Sequence, residues 1–322
     1  MPPSPPPTKP VAPHFQLRRP PADPDKPPCP YRTGFTVYIK SHIAVVDGRG
    51  PVGDTSFQAV AKIYDPLYYS FSHKDVSSVP CDVTRFADQD YSREAAAYEH
   101  LDAVGQAGSI APKYFGSWTF NIGLHIGKNT SPQSRQIRLV LIEYLPGKSI
   151  RELCAGPVPA AAAFDEAYRL EILARTLDAE ANLRFKGINH NELAARKVIL
   201  HAPPTPQGQM AAQPSTIPRV VLIDYNSSVI YARTIYKIGP YDNTTLPPNP
   251  MRTHWKNSLQ DFYGWIPVTW ETKSKLRQER LRKCFGGDHL ASGSSEARYE
   301  TLKLPSRAVE RQGLVPPCPL SI

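Results

Sequence analysis

Apolar residues follow two different spacings along this chain. The segments 34–46 (GFTVYIKSHIAVV) and 56–66 (SFQAVAKIYDP) are rich in β-branched and aromatic residues and flank a glycine-rich gap. Such a pair predicts two strands of an antiparallel sheet. Segment 88–105 instead has apolar residues near helical spacing and ends in glycine, which predicts one amphipathic helix. Its apolar positions are Tyr91, Ala95, Tyr98 and Leu101.

The middle of the chain repeats both patterns. Segments 110–122 and 137–147 are strand-like, and the second ends in Pro-Gly, as expected where a strand leaves a sheet. Segment 164–186 has leucine and alanine on one helical face, and Asp165 stands where an N-cap is expected. We therefore predict a long amphipathic helix there.

A hairpin with an enlarged connection is predicted next. The short apolar run 198–200 (VIL) and the strand-like segment 219–225 (RVVLIDY) are separated by residues 201–218, which have low sequence complexity. A low-complexity stretch of this length between two strands is typical of an insertion in a surface loop.

Strands with one helix, followed by a long helix, a hairpin and more irregular helix, predict an α+β protein with two lobes. The globular part is expected to span residues 34–285. A small β-rich N-lobe would cover residues 34–144, and a mostly helical C-lobe residues 145–285. A ligand would then bind between the lobes.

Composition separates the two ends from this globular part. Residues 1–33 hold 13 of the 35 prolines and have almost no apolar periodicity, so a disordered, proline-rich tail is predicted. Residues 286–322 are polar and are predicted to form an irregular tail. Proline-rich runs such as PPSPPP also match, loosely, the segments that SH3 and WW modules bind.

The net charge of +9 is concentrated at the ends. Residues 1–33 carry five basic and two acidic side chains, and residues 252–322 carry twelve and seven, whereas residues 34–251 carry 21 and 20. A nearly neutral body is a poor electrostatic footprint for duplex binding, so we expect no specific nucleic-acid partner.

The five cysteines are scattered and have no spacing typical of a zinc site, which favours a reducing compartment. The chain also has no run of 18 apolar residues and no apolar stretch behind a basic N-terminus. These features predict an intracellular protein, cytoplasmic or nuclear, with no membrane partner.

Charged residues on apolar elements are the first candidates for a functional site. Lys62 lies on an apolar strand, where an edge lysine that extends to solvent is the simplest explanation. However, Glu94 shares the apolar face of the next helix, and a buried carboxylate needs a partner. An ion pair of this kind can hold a lysine against nucleotide phosphates.

The segment HNELAARKVIL (190–200) has the outline of a phosphotransferase catalytic loop, H-x-D-x-x-x-x-N. His190 matches the first position, but Glu192 and Lys197 replace the aspartate and asparagine. Asp224 follows an apolar strand, as in the magnesium-binding Asp-Phe-Gly element, although a turn aspartate is the simpler alternative. There Tyr225 would supply the ring, and Asn226 would take the left-handed backbone conformation.

The chain therefore resembles the protein-kinase superfamily, and more closely a fungal branch of kinase-like proteins. The resemblance covers about residues 34–285. It rests on seven segments in the expected order: VAKIYDPLYYSF, DYSREAAAYEHL, APKYFGSWTF, LVLIEYLPGKSIREL, NHNELAARKVIL, RVVLIDYN and PPNPMRTHWKNSLQDFYGWIPVTW.

The resemblance implies a binding cleft for ATP and Mg²⁺ between the lobes. In that cleft Lys62 and Glu94 would form the conserved type of ion pair. Glu143 and Leu145 would belong to the hinge that faces adenine, and Asp224 would bind the metal.

Several positions depart from that family. Glu192 is longer than aspartate by one carbon–carbon bond, and a displacement of about 1 Å can cost roughly 100-fold in rate. Lys197 offers no lone pair to Mg²⁺ and repels it. Residues 48–53 (GRGPVG) are interpreted as a hairpin turn, which leaves Gly34 as the only glycine near the expected phosphate cover.

Three functions remain open from the sequence. The first is a pseudokinase in which binding of ATP and Mg²⁺ is weak or absent and which acts through protein partners. The second is an active phosphotransferase with Glu192 as base, Asp224 for the metal and Lys197 as an electrostatic substitute for a second cation. The third is an adaptor that binds SH3 or WW modules through residues 1–33.

Overall fold

A computed structural model of the chain describes eight stretches of sequence: residues 43–49, 56–70, 82–124, 133–156, 159–201, 217–286, 298–300 and 302. The predictions made for the proline-rich segment 1–33, for Gly34 and for nearly all of the insertion 201–218 lie outside these residues.

Four strands form one antiparallel sheet in the order β1-β2-β4-β3. They are β1 (Ile43–Arg49), β2 (Ser56–Tyr64), β3 (Tyr114–Leu124) and β4 (Gln133–Glu143). β1 and β2 are antiparallel neighbours, and Arg49 pairs with Ser56. Of the turn predicted at residues 48–53, Gly48 and Arg49 belong to β1, and residues 50–53 lie outside the described residues. We refer to these strands and helix α1 as the sheet region.

Helix α1 (Val83–Ala103) begins five residues earlier than predicted. Asp82 is the reason, because its side chain accepts a hydrogen bond from the N–H of Arg85 and so caps the helix. The helix presents Ala97, Tyr98 and Leu101 to the core, and all three are fully buried. Of the four predicted apolar positions, Ala95, Tyr98 and Leu101 are buried and Tyr91 is half-buried, whereas Ala97 was not predicted.

The α-helices other than α1 lie in the later part of the described chain, and we refer to residues 148–286 as the helical region. Its helices are α2 (Ile150–Leu153), α3 (Glu166–Phe185), α4 (Met251–His254), α5 (Thr269–Thr272) and α6 (Ser274–Phe285). Its short strands are β5 (Lys148–Ser149), β6 (Ile188–Asn189), β7 (Val198–His201), β8 (Arg219–Leu222) and β9 (Val229–Ile230). The strands pair as β5-β7-β8 and β6-β9, so the predicted hairpin of β7 and β8 is present.

Two apolar cores lie on opposite faces of the four-stranded sheet. Successive side chains of a strand point to opposite faces. On β4, Val140 and Ile142 therefore join the larger core of α1 and the helical region, whereas Leu139 and Leu141 join the smaller one. All four residues are at most 5% exposed, so β4 is buried on both faces. The chain is a mixed α+β protein, as predicted.

Part of the predicted tail 286–322 packs against the helical region. The ring of Tyr299 lies edge-on to Phe285 at 5.8 Å between centroids, and its hydroxyl donates to Asp178 on α3 at 2.5 Å. Arg298 also donates to Asp178, at 2.6 Å, and Leu302 contacts the larger core. The described tail residues are irregular, yet the side chains of Tyr299 and Leu302 pack against the larger core.

Within the described stretches, no helix combines the length and the apolar character that crossing a bilayer requires.

Replacement of Tyr299 tests the packing of this segment. Tyr299→Ala removes both the ring and its hydrogen bond, so we expect the free energy of unfolding to fall by about 2 kcal/mol. Tyr299→Phe keeps the ring and should cost about 1 kcal/mol. Urea denaturation measures both, with Tyr236→Ala as control because Tyr236 is 77% exposed. Equal stability of the two alanine variants would contradict the packing of Tyr299.

Candidate functional site

Lys62 and Glu94 lie together in the sheet region, as the sequence predicted. Lys62 on β2 donates to both carboxylate oxygens of Glu94 on α1 at 2.6 Å, and Glu94 is fully buried. The hydroxyl of Tyr64 also donates to Glu94. Burial alone would lower the pKa of Lys62, but the charges of Glu94 and Asp224 outweigh it and raise that pKa. Lys62 is therefore a permanent cation at this position.

Asp224 lies immediately beyond β8 and contacts two lysines. Its Oδ1 accepts from Lys62 at 2.8 Å, and its Oδ2 lies 2.9 Å from the ammonium of Lys197. Burial would raise the pKa of Asp224, but the charge of Lys62 and the bond from Lys197 hold it well below its usual range. Asp224 itself has a left-handed backbone (φ +67°), which corrects the prediction of that conformation for Asn226.

Lys197 lies between Glu192 and Asp224. Its ammonium donates to Glu192 Oε2 at 2.6 Å and lies 3.4 Å from the carbonyl oxygen of Asp224. The Lys197 side chain is only 4% exposed. The 3-10 turn Ala195–Lys197 ends just before β7. It places Lys197 beside Asp224, which lies two residues beyond β8.

The carboxylate of Glu192 is held by three donors. Lys197 and the hydroxyl of Ser227, at 3.0 Å, both donate to Oε2, and Arg196 donates to Oε1. Burial would raise the pKa of Glu192, but the bond and the charge of Lys197 lower it. Glu192 is therefore ionised at neutral pH and fixed in one orientation.

These five residues form one continuous row of alternating charges. The order is Glu94, Lys62, Asp224, Lys197 and Glu192, with every ion pair at 2.6 to 2.9 Å. We call this row the charge cluster. It links the sheet region to the helical region, because its first two members lie on β2 and α1 and its last three beside β7 and β8.

His190 does not belong to the charge cluster. It is fully buried, its ring packs on Tyr225 at 4.8 Å between centroids, and its Nε2 lies 3.1 Å from the carbonyl oxygen of Ile223. Burial lowers the pKa of His190, so the neutral ring donates that hydrogen bond. His190 thus fixes the loop to the end of β8 and has no exposed nitrogen for a substrate.

The two predicted hinge residues differ in what they contact. The carboxylate of Glu143 accepts from Arg219 at 2.9 and 3.1 Å and from the N–H of Lys113 at 3.0 Å. Burial would raise the pKa of Glu143, but the bonds from Arg219 and Lys113 lower it. The carboxylate of Glu143 is therefore engaged in bonds within the chain. The N–H and the carbonyl of Leu145, by contrast, hydrogen-bond to none of the described residues.

Sequence patterns did not single out four side chains that contact the site residues: Tyr64, Arg196, Arg219 and Ser227. Tyr64 stands two residues after Lys62, so strand periodicity places both side chains on one face of β2. This spacing could have predicted that Tyr64 also contacts Glu94. Arg219 and Ser227 carry no such signal, because each meets its partner across 35 or more residues of chain.

Lys62→Met tests the strength of the buried pair. The change leaves Glu94 without its cation, so we expect a loss of roughly 3–5 kcal/mol in the free energy of unfolding. Adding Glu94→Gln removes the unpaired charge and should restore part of that loss, since paired sites are non-additive.

Urea denaturation compares these two variants with Lys275→Met, which changes an exposed lysine on α6. A loss in Lys62→Met no larger than that in Lys275→Met would show that the buried pair contributes nothing measurable.

No protein-family model matches the chain, and no curated protein is significantly similar to it.

Proposed function

We propose that this chain is a pseudokinase: a kinase-like domain without phosphotransfer activity that acts by binding protein partners. The resemblance of its motifs to the protein-kinase superfamily supports this proposal. The charge cluster also supports it, because Lys62 contacts both Glu94 and Asp224. On this view the sheet region is the N-lobe, the helical region is the C-lobe, and the cleft between them is the nucleotide site.

One observation carries the proposal: both carboxylate oxygens of Asp224 are already bound by ammonium groups. A kinase needs those oxygens for Mg²⁺, which takes oxygen ligands in an octahedral arrangement. Lys197 supplies three donors and no lone pair where a ligand oxygen would be required. The residues present therefore do not fit Mg²⁺, and the ammonium of Lys197 provides the positive charge instead.

Glu192 is equally unsuited to act as a base. A general base needs a free lone pair aimed at the proton that it removes. Both oxygens of Glu192 accept hydrogen bonds from cations, and the low pKa of Glu192 makes it a weak base. The active phosphotransferase that the sequence left open would need Glu192 to leave these partners.

A nucleotide could still be held without a metal. Adenine presents a donor and an acceptor side by side on one edge, which the carbonyl and N–H of Leu145, unpaired among the described residues, would complement. The phosphates would face Lys62 and Lys197, and each would have to leave a carboxylate partner. That competition is the physical reason why we expect weak binding.

Partner binding is the second part of the proposal. The proline-rich residues 1–33 offer a segment of the kind that SH3 and WW modules bind. Comparing the partners captured by the full chain and by a chain without residues 1–33 separates an adaptor role of this segment from a role of the kinase-like domain.

Magnesium dependence of ATP binding tests the metal site. We expect ATP to raise the melting temperature only slightly and by the same amount with and without Mg²⁺, because Lys197 occupies the position of the cation. A ligand at 100 times its Kd stabilises by about 2.7 kcal/mol, so a thermal-shift titration detects binding well. A clear gain in affinity on addition of Mg²⁺ would refute the proposal.

Restoring the two replaced residues tests the cause of the lost activity. Glu192→Asp with Lys197→Asn returns the shorter carboxylate and an oxygen ligand, so the double variant should gain Mg²⁺-dependent ATP hydrolysis over both single variants. The singles should gain little, since each leaves one defect in place. Release of phosphate measures the rate.

The parent chain is the decisive control in that experiment. If it already turns over ATP at a rate typical of kinases, about 1–100 per second, Glu192 is a working base and the pseudokinase proposal is wrong. If the folded double variant binds ATP and Mg²⁺ without hydrolysis, the two substitutions are not the cause of inactivity.

A further inference from the structure

Three arginines from three helices lie near one loop of the helical region, residues 263–265. Arg169 on α3 donates from Nη1 to the carbonyl oxygen of Trp265 at 2.8 Å, and the indole N–H of Trp265 donates to the carbonyl oxygen of Arg169 at 2.9 Å. Arg151 lies on α2 and Arg277 on α6. We call these three side chains the arginine cluster.

The end of α2 packs directly on this loop. Gly264 has a left-handed backbone (φ +87°), and a Cβ added to it would lie 3.2 Å from the Cβ of Cys154, the C-cap of α2. Burial raises the pKa of the Cys154 thiol, whereas the charges of Arg169 and Arg151 act in the opposite direction. Because such effects weaken with distance, both guanidinium groups lie close to the thiol.

Arg277 is a buried cation beside the same loop. It is 4% exposed and shares the core-facing row of α6 with Leu281 and Phe285, at a spacing of four residues. Burial lowers the pKa of Arg277, and the phenol of Tyr263 opposes this change. A charge in such a position is ordinarily paired and hydrogen-bonded.

The arginine cluster has donors that the described residues do not satisfy. The Nε atoms of Arg169 and Arg277 are fully buried and without a hydrogen-bond partner. Nη2 of Arg169 and both Nη atoms of Arg277 also bond none of the described residues, but they are not fully buried, so these donors reach the surface. Arg184, on the same helix as Arg169, pairs with Glu180, whereas the cluster forms no ion pair within the described stretches.

The chemistry of guanidinium specifies the kind of group that would satisfy these donors. Arginine is always charged and offers five N–H donors but no acceptor, so its complement is an anion with several oxygens. Three unpaired positive charges exceed what one carboxylate can balance, whereas a phosphate monoester carries about −1.5 to −2 at neutral pH. Clusters of arginine are also a common means of recognising phosphate groups.

We propose that the arginine cluster binds a phosphate monoester, with Arg169 and Arg277 as hydrogen-bond donors and the exposed Arg151 as a charge at the rim. The phosphate could belong to a small free molecule or to a phosphorylated side chain of a peptide. No hydrogen bond or ion pair among the described residues joins this site to the charge cluster, so it is separate from the proposed nucleotide site.

Titration of the full chain with matched probes tests the site without nucleotide, so the result does not depend on the pseudokinase proposal. The phosphate probes are inorganic phosphate and N-acetyl-phosphoserine N-methylamide. Acetate and N-acetyl-serine N-methylamide are the controls, and all four are compared at one ionic strength, because salt screens exposed charges. We expect the backbone amide signals of Cys154 and Gly264 to shift in NMR spectra with the two phosphates only.

Variants of equal charge identify the donors. Arg277→Gln removes a buried donor, so phosphate binding should weaken by about tenfold or more. Lys275→Gln removes the same charge from an exposed position of α6 and should leave the affinity unchanged. Arg151→Gln also changes an exposed residue, so the fold is retained, and binding should weaken by about threefold.

The two phosphate probes also distinguish the sources. Tighter binding of N-acetyl-phosphoserine N-methylamide than of inorganic phosphate would point to a phosphorylated chain, and equal binding to a small free molecule. Three results would overturn the proposal. They are binding of acetate as tight as that of phosphate, no shift of Cys154 or Gly264 with either phosphate, and losses in Arg277→Gln and Arg151→Gln no larger than in Lys275→Gln.

Discussion

Asp224 is the central residue of the charge cluster, and it joins the two lysines to each other. Its carboxylate is largely buried and lies between two ammonium groups, each of which also bonds a second carboxylate. A buried ion is tolerated only when it is paired and hydrogen-bonded. Removal of Lys62 would leave the fully buried Glu94 without a cation, and Lys62 also bonds Asp224, so β2, α1 and the end of β8 are positioned together.

The same constraint connects stability with function. The ammonium of Lys197 pairs with Asp224 without any bound ligand, whereas a metal ion would pair with it only while bound. Under the proposed function, the ammonium of Lys197 takes the place of a metal ion that would bind reversibly. Asp224 would then not be available to a metal, and a nucleotide would have to compete with the existing ion pairs.

Sequence patterns predicted the elements better than the contacts between them. The strands around Lys62 and Asp224 and the long helix α3 follow from apolar periodicity, because each pattern is local. The start of α1 was missed because the cap formed by Asp82 overrides the apolar pattern. Glu143 was placed in the ligand site because nothing local indicates that Arg219, 76 residues away, takes its carboxylate.

Arg219 has a mechanical consequence. Its guanidinium bonds Glu143 at the end of β4 and the carbonyls of Ser109 and Ala111 before β3, while its backbone belongs to β8. One side chain thereby connects the sheet region to the helical region through four hydrogen bonds. Any separation of the two regions would have to break these bonds as well as the ion pairs of the charge cluster, so we expect the two regions to move as one unit.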